Sequence, residues 1–161
     1  MFAYASNPNV ARFTTWRPHR SLADSEAFLD TVLSAAADDH TWAICTVDEA
    51  RVIGAIDLSR HGADTAEVHY VLAESQWNRG LMSEAVRAVL AWALDQWPEV
   101  QRIVSRAVAE NAASLRVMAR CGLEFQRVCE ATWPKFDTPV RQHEYAASRE
   151  LLRRRLSQPR R

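Results

Sequence analysis

Two adjoining stretches decide the fold: Ala66-Glu67-Val68-His69-Tyr70-Val71-Leu72, and then Trp77-Asn78-Arg79-Gly80-Leu81-Met82-Ser83-Glu84-Ala85. The first is β-rich. Thr65–Leu72 reads as a strand with Glu67, His69 and Val71 on one face and Val68, Tyr70 and Leu72 on the other. The second opens a helix that runs to about Trp97, with Pro98 as its stop. The buried stripe of that helix is Ala85, Val86, Val89, Leu90, Ala93 and Trp97. Gly80 stands where strand gives way to helix. With no Cβ it lets the backbone approach a ligand closely. The free N–H groups of the first helical turn, with the helix dipole, suit a phosphate. The glycines and lysine of a Walker loop or a dinucleotide fingerprint are missing. Taken alone, one glycine before a helix also fits a plain tight turn.

Upstream, Ser21 is an N-cap for a helix over Leu22–Ala37, with Asp24 and Glu26 in the first turn. Its apolar stripe is Leu22, Phe28, Leu29, Val32 and Leu33. Thr41–Val47 and Arg51–Leu58 read as a hairpin across the turn Asp48-Glu49-Ala50. Downstream, Gln101–Val108 reads as a strand. Asn111–Cys121 reads as a helix capped by Asn111 and ended by Gly122. Leu123–Thr132 and Arg141–Ala147 read as strands around the loop Trp133–Val140; the tail Arg149–Arg161 is basic, with Arg153-Arg154-Arg155 as a solvated helix end. The 161 residues thus form one α/β domain with a mixed sheet. Such a sheet binds ligand where strands part and a helix N-terminus points at the gap.

Composition narrows the function. Twenty Lys+Arg balance 20 Asp+Glu, which argues against a nucleic-acid binder. No apolar run is long enough to span a membrane, and Met1–Trp16 does not read as a secretory signal. Cys45, Cys121 and Cys129 are odd in number and widely spaced, so neither a metal site nor a disulfide framework is expected. They read as buried small side chains of a reduced, cytoplasmic chain.

The strand Ala66–Leu72, the loop-helix Trp77–Ala85 and the segment Asn111-Ala112-Ala113-Ser114 running to Cys121-Gly122-Leu123 together resemble the GNAT superfamily of acyl-CoA-dependent N-acetyltransferases. More narrowly they resemble the branch of ribosomal-protein-alanine N-acetyltransferases, the RimJ/RimL-like group. The resemblance covers about Asn9 to Ser148. It implies a mostly antiparallel sheet of about six strands flanked by helices, and a co-substrate, acetyl-CoA. The loop Trp77, Asn78, Arg79, Gly80, Leu81, Met82 and Ser83 would hold the pyrophosphate, Arg79 adding charge and Ser83 a hydroxyl. The backbone of Val71, Leu72 and Ala73 would pair with the pantetheine arm, and Asn111 would hydrogen-bond it. Ser114, or solvent, would reprotonate the departing thiolate.

The chain departs from the family pattern in places. Trp77 and Met82 stand at the first and last positions of the loop motif, with Gln76 one residue off register. Met118 occupies the place of a tyrosine that is the general acid in many relatives, and His69 stands where the branch often has glycine. The strand that relatives place before the first helix is expected either to be absent here or to be cut off by a start codon placed too late. An edge of the sheet would then be left uncovered.

The expected reaction is direct acyl transfer to a primary amine, a protein N-terminus or a small molecule, which needs a base. Glu67 and His69 lie two apart on one strand face and are the candidates, with water as a third possibility. A purely structural alternative pairs Glu67 with an arginine and packs His69 on an aromatic ring. A backbone N–H near Leu72 or Ala73 would stabilise the oxyanion. Trp16, Trp42, Trp133 and His143 are the candidates for the acceptor pocket, while Trp92 and Trp97 belong to a helix stripe. The apolar stretch Phe2–Val10 is a candidate surface for a homodimer. A non-catalytic acyl-CoA-binding module is the competing function, and a nucleotide-binding protein comes after it.

Overall fold

The computed structural model describes residues 1–34, 39–47 and 51–157. The expected turn Asp48-Glu49-Ala50 and the helix residues beyond Ser34 up to Ala37 lie outside the described residues. Two short helices, α1 (Phe2–Ala5) and α2 (Pro8–Ala11), come first, the second capped by the Asn7 side chain. Helix α3 (Leu22–Leu33) carries a capping box between Ser21 and Asp24. Then β1 (His40–Cys45), β2 (Val52–His61) and β3 (Thr65–Leu72) form an antiparallel meander. Helix α4 (Leu81–Gln96) crosses to β4 (Arg102–Val108), which lies parallel to β3. Helix α5 (Ala112–Arg120), β5 (Glu124–Ala131), β6 (Val140–Ser148) and α6 (Arg149–Leu156) complete the chain.

The sheet order is β1-β2-β3-β4-β6-β5. Four of the five strand pairings run along most of the strands' length, but β3 and β4 share only Thr65↔Arg102, Ala66↔Ile103 and Glu67↔Val104. Beyond Glu67 the two strands part, and this opening is what positions the site. Gly54 holds the other flank of β3 close, since a Cβ there would stand 2.4 Å from Val71 O.

One face of the sheet builds the main core. Ile56, Leu58, Val68 and Ile103 meet Val86 and Leu90 of α4 and Leu152 of α6, all nearly free of solvent. Each such side chain contributes about 1.5–3 kcal/mol of burial. On the other face Tyr4, Ala5 and Val10 pack against Val52, Val71 and Ala73. The apolar stretch Phe2–Val10 therefore covers its own chain, which removes the reason for expecting a second subunit there.

Helix α3 forms with its stripe partly covered: Phe28 and Val32 are half-buried at the rim of the opening, whereas Leu22, Leu29 and Leu33 are exposed. Arg153, Arg154 and Arg155 in the last turn of α6 are exposed, as expected of a solvated helix end. Arg149 is buried, and its guanidinium donates to the carbonyls of Leu94, Trp97 and Val100, satisfying the C-terminal end of α4. Among the cysteines only Cys121 is buried, and burial pushes its thiol up to about 11.

Candidate active site

A cleft of about 900 Å³ follows the opening between β3 and β4. Its floor is set by backbone direction. Ala73 N–H donates to Ile53 O at 2.7 Å, so Ala73 and, two residues back, Val71 turn their backbone groups to β2. Tyr70 and Leu72 therefore face the gap. Of the three residues expected to pair with a pantetheine arm, only Leu72 presents its backbone there. Its carbonyl already accepts from Trp77 Nε1 at 2.9 Å, which leaves the Leu72 N–H directed into the cleft. Trp77 thus fastens the loop to the strand end.

The loop that follows is shaped for an anion. Asn78 (φ 59°) and Gly80 (φ 79°) both take left-handed backbone, and Gly80 is the N-cap of α4 without any side-chain cap. The first N–H groups of α4 are left without intrahelical partners. A Cβ on Gly80 would meet nothing within 4 Å, so the cradle is open space and not packing. Leu81, Met82 and Ser83 line it, Met82 and Ser83 buried. Arg79 is exposed and donates to Gln76 Oε1, which fixes its guanidinium beside the loop. These groups fit a pyrophosphate.

Across the gap stands the N-terminus of α5. Asn111 Oδ1 accepts from Ser114 N at 3.2 Å, and Asn111 Nδ2 donates to Ser114 Oγ at 3.1 Å, a reciprocal cap. Tyr70, which sequence reasoning left unassigned, donates its hydroxyl to Ser114 O at 3.1 Å. Burial raises its pKa, so it is a phenol and not a phenolate.

The opposite face carries charge. Glu67 is buried, with Oε2 taking 2.6 Å from Arg106 Nη1, 3.4 Å from His61 Nε2, and Oε1 lying 3.6 Å from His69 Nε2. Arg106 also pairs with Glu144 at 2.7 Å. Arg127 and Arg106 hold the Glu144 carboxyl below the usual carboxylate range. Both Glu67 and His69 line the cleft, so the two candidate bases are brought together. Glu67 pairs with Arg106, as the structural alternative expects, while its Oε1 faces the exposed His69. Asp57, directly opposite His69 in the sheet, also lines the cleft; burial raises its pKa while Thr41 Oγ1 donates to it at 3.3 Å. Strand alternation places Asp57 on the face of Glu67, but nothing in its local sequence marks it.

Two expected acceptor residues are not at the cleft. Trp42 packs in an aromatic cluster with His40, Trp92 and Trp97 on the core face, its ring 5.0 Å from Trp92. His143 lies against Phe125 at 5.3 Å on that same face. The reason is the period of two along a strand: the neighbouring Gln142, not His143, turns toward the cleft. Trp133 and Trp16 do line it. Lys135 ties their two loops together, donating to Ala11 O at 2.5 Å and Trp16 O at 3.4 Å, while Arg17 donates to Lys135 O at 3.1 Å. No helix among the described residues is long and apolar enough to cross a membrane.

Known proteins are similar to this chain in sequence and in fold. The chain is 30% identical over 88 residues to the probable N-acetyltransferase YjcK of Bacillus subtilis, covering 53% of this chain and 48% of that protein. The chain thus spans about half of that relative's length. It is 24% identical over 136 residues to the uncharacterized N-acetyltransferase YnaD of the same organism, covering 84% of this chain and 78% of that one. A GNAT-family acetyltransferase from Bacillus anthracis superposes with a TM-score of 0.81 at 22% identity, over 93% of this chain and 87% of that one. The model of the acetyltransferase (GNAT) domain matches residues 1–124, and the chain belongs to that family.

Proposed function

We propose that the chain is an acetyl-CoA-dependent N-acetyltransferase of the RimJ/RimL-like branch, transferring an acetyl group directly to a primary amine within a ternary complex. One observation carries this reading. The strands part beside a helix N-terminus entered through left-handed Asn78 and Gly80, opposite the capped end of α5. Acetyl-CoA supplies the acetyl group as a thioester. The N–H groups of Asn78–Ser83 and the α4 dipole hold its pyrophosphate. The Leu72 N–H donates to the developing oxyanion. Asn111 holds the arm, and Ser114 Oγ carries the proton that the leaving sulfur needs. Glu67 Oε1, the oxygen that Arg106 leaves free, draws the acceptor's proton away through His69 or a water. Three free cysteines with no disulfide among the described residues support a reducing compartment such as the cytoplasm.

The Glu67–Arg106 pair favours a second reading, a non-catalytic acyl-CoA-binding module, because it gives the buried carboxylate a structural partner. Release of free thiol from acetyl-CoA, followed with a panel of amines, separates the two. Turnover that drops at least about tenfold in Glu67→Gln or His69→Ala, with acetyl-CoA affinity kept, supports the transferase. Tight acetyl-CoA binding with no turnover on any amine would leave the module.

A further inference from the structure

Of the 20 basic side chains, every one is an arginine except Lys135. That lysine stands in the loop between β5 and β6, between Trp133 and Phe136, whose rings stack at 6.1 Å. Its ammonium reaches the end of α2 and the loop after it. There it donates to Ala11 O at 2.5 Å, Arg12 O at 3.3 Å and Trp16 O at 3.4 Å. It also lies 5.8 Å from the centre of the Trp133 ring and 4.8 Å from that of Phe136, within reach of a cation–π contact. In return, Arg17 Nη2 donates to Lys135 O at 3.1 Å. Among the described residues, every hydrogen bond between these two loops passes through Lys135.

Three carbonyls converging on one point call for a compact cation with three donors, which an ammonium is. A guanidinium is a planar fork suited to paired acceptors, so this is the one basic position where arginine would not serve. The loop after α2 holds its own shape, since Thr14 Oγ1 lies 2.9 Å from Ala11 O and 3.1 Å from Trp16 O as their donor. Lys135 is what joins that loop to the second one. Both loops line the cleft, through Thr14, Thr15 and Trp16 on one side and Trp133 on the other. Lys135 itself does not line it, so it acts on an acceptor through the two tryptophans. Resting on the acetyltransferase reading above, we infer that Lys135 is a positioning residue. It clamps the two rims of the acceptor half together and sets how wide an amine can enter past Trp16 and Trp133. Charge-assisted bonds are short and directional, and surface loops without such ties open easily.

Two experiments test this. The first uses the natural chain and no substrate. Lys135 carries the one side-chain primary amine, so acylation by the N-hydroxysuccinimide ester of acetate, located by peptide mass spectrometry, reports on it alone. Acylation in the folded chain should be at least about tenfold slower than in urea. Burial, and then Arg17, lower the pKa of Lys135, which by itself would speed the reaction, so slowing measures the clamp. Equal rates overturn the inference. The second experiment compares the natural chain with Lys135→Met and Lys135→Arg on amines from butylamine to an aminoglycoside. Thiol release reads turnover, and calorimetry on the CoA-loaded protein reads amine binding. In Lys135→Met the KM for narrow amines should rise about tenfold, kcat should change less than about threefold, and selectivity should shift about tenfold toward wide amines. Acetyl-CoA affinity should stay the same. Lys135→Arg should recover only part of the loss, and full recovery would overturn the three-donor clamp. A methionine variant that loses stability but keeps KM and selectivity overturns the positioning role. If no amine is turned over, the transferase reading falls; amine binding that weakens about tenfold in Lys135→Met still upholds the clamp, and unchanged binding overturns it.

Discussion

The two halves of the cleft are built from different materials. The half between Leu72 and α5 is made of backbone: the Leu72 N–H, the left-handed turn at Asn78 and Gly80, and the first turns of α4 and α5. The half on the opposite face is made of side chains from separate segments: Asp57 of β2, Glu67 and His69 of β3, Arg106 of β4, Gln142 of β6, and Trp16 and Trp133 of two loops. A backbone site needs a few residues with special torsions, all close in sequence. A side-chain site needs the sheet to bring its parts together. The first is suited to one invariant ligand, and the second can change acceptor without disturbing it.

Substitutions can test whether the halves are separable. The largest effect is expected at Gly80. Valine there costs the fold about 1–2 kcal/mol in left-handed backbone strain and puts methyl groups into the open cradle. Acetyl-CoA affinity should fall about 100-fold by calorimetry; a Kd within a factor of three of the natural chain would mean the phosphates lie elsewhere. Next comes Arg106→Leu, which leaves Glu67 and Glu144 short of their shared cation. A fully buried pair broken this way costs about 3–5 kcal/mol. The Arg106 side chain is 31% exposed, so the discounted loss is about 2 kcal/mol in chemical denaturation. Acetyl-CoA binding should survive, and its loss would show that the halves are coupled.

Asn111→Ala removes the cap of α5 and costs about 1 kcal/mol of stability. If Asn111 also holds the cofactor arm, acetyl-CoA affinity falls with it, whereas unchanged affinity restricts Asn111 to capping. The smallest effect is on pH dependence. The Glu144 carboxyl is held low first by the Arg127 hydrogen bond and then by Arg106. A group whose pKa is lowered on folding adds stability above its unfolded value, near pH 4.3, and loses it as the pH falls through the lower folded value. Thermal melts between about pH 3 and 6 should therefore show an acid-side decline that Glu144→Gln flattens. An identical slope in the variant would assign the decline to other carboxylates.

Much of the fold was legible because its signals are local. Alternation marks β3 to its last residue, Thr65–Leu72, and Ser21 with Asp24 marks the start of α3. Asn111 caps α5 as its chemistry requires. The exposed part of the α3 stripe was not legible, because amphipathicity says which face is apolar and not whether anything covers it. Trp42 and His143 were placed in the acceptor pocket on chemistry alone, and the alternation of β1 and β6 turns both to the core face. Gln142 and Asp57 escaped notice because a single glutamine or aspartate on a strand has no motif. The sheet register that turns both to the cleft is a property of the folded chain.

By itself the sequence determined the cradle, since left-handed backbone at Gly80 and an uncapped helix start follow from adjacent residues and need no distant contact. It also determined that Glu67 and His69 share a face. Only the tertiary structure decided how far β3 and β4 run together, which of three backbone residues faces the gap, and that Arg106 ties Glu67 to Glu144. Those features depend on strand register and on parallel pairing across a helical crossover. Register is set by the summed packing of both sheet faces, which no short window of sequence contains.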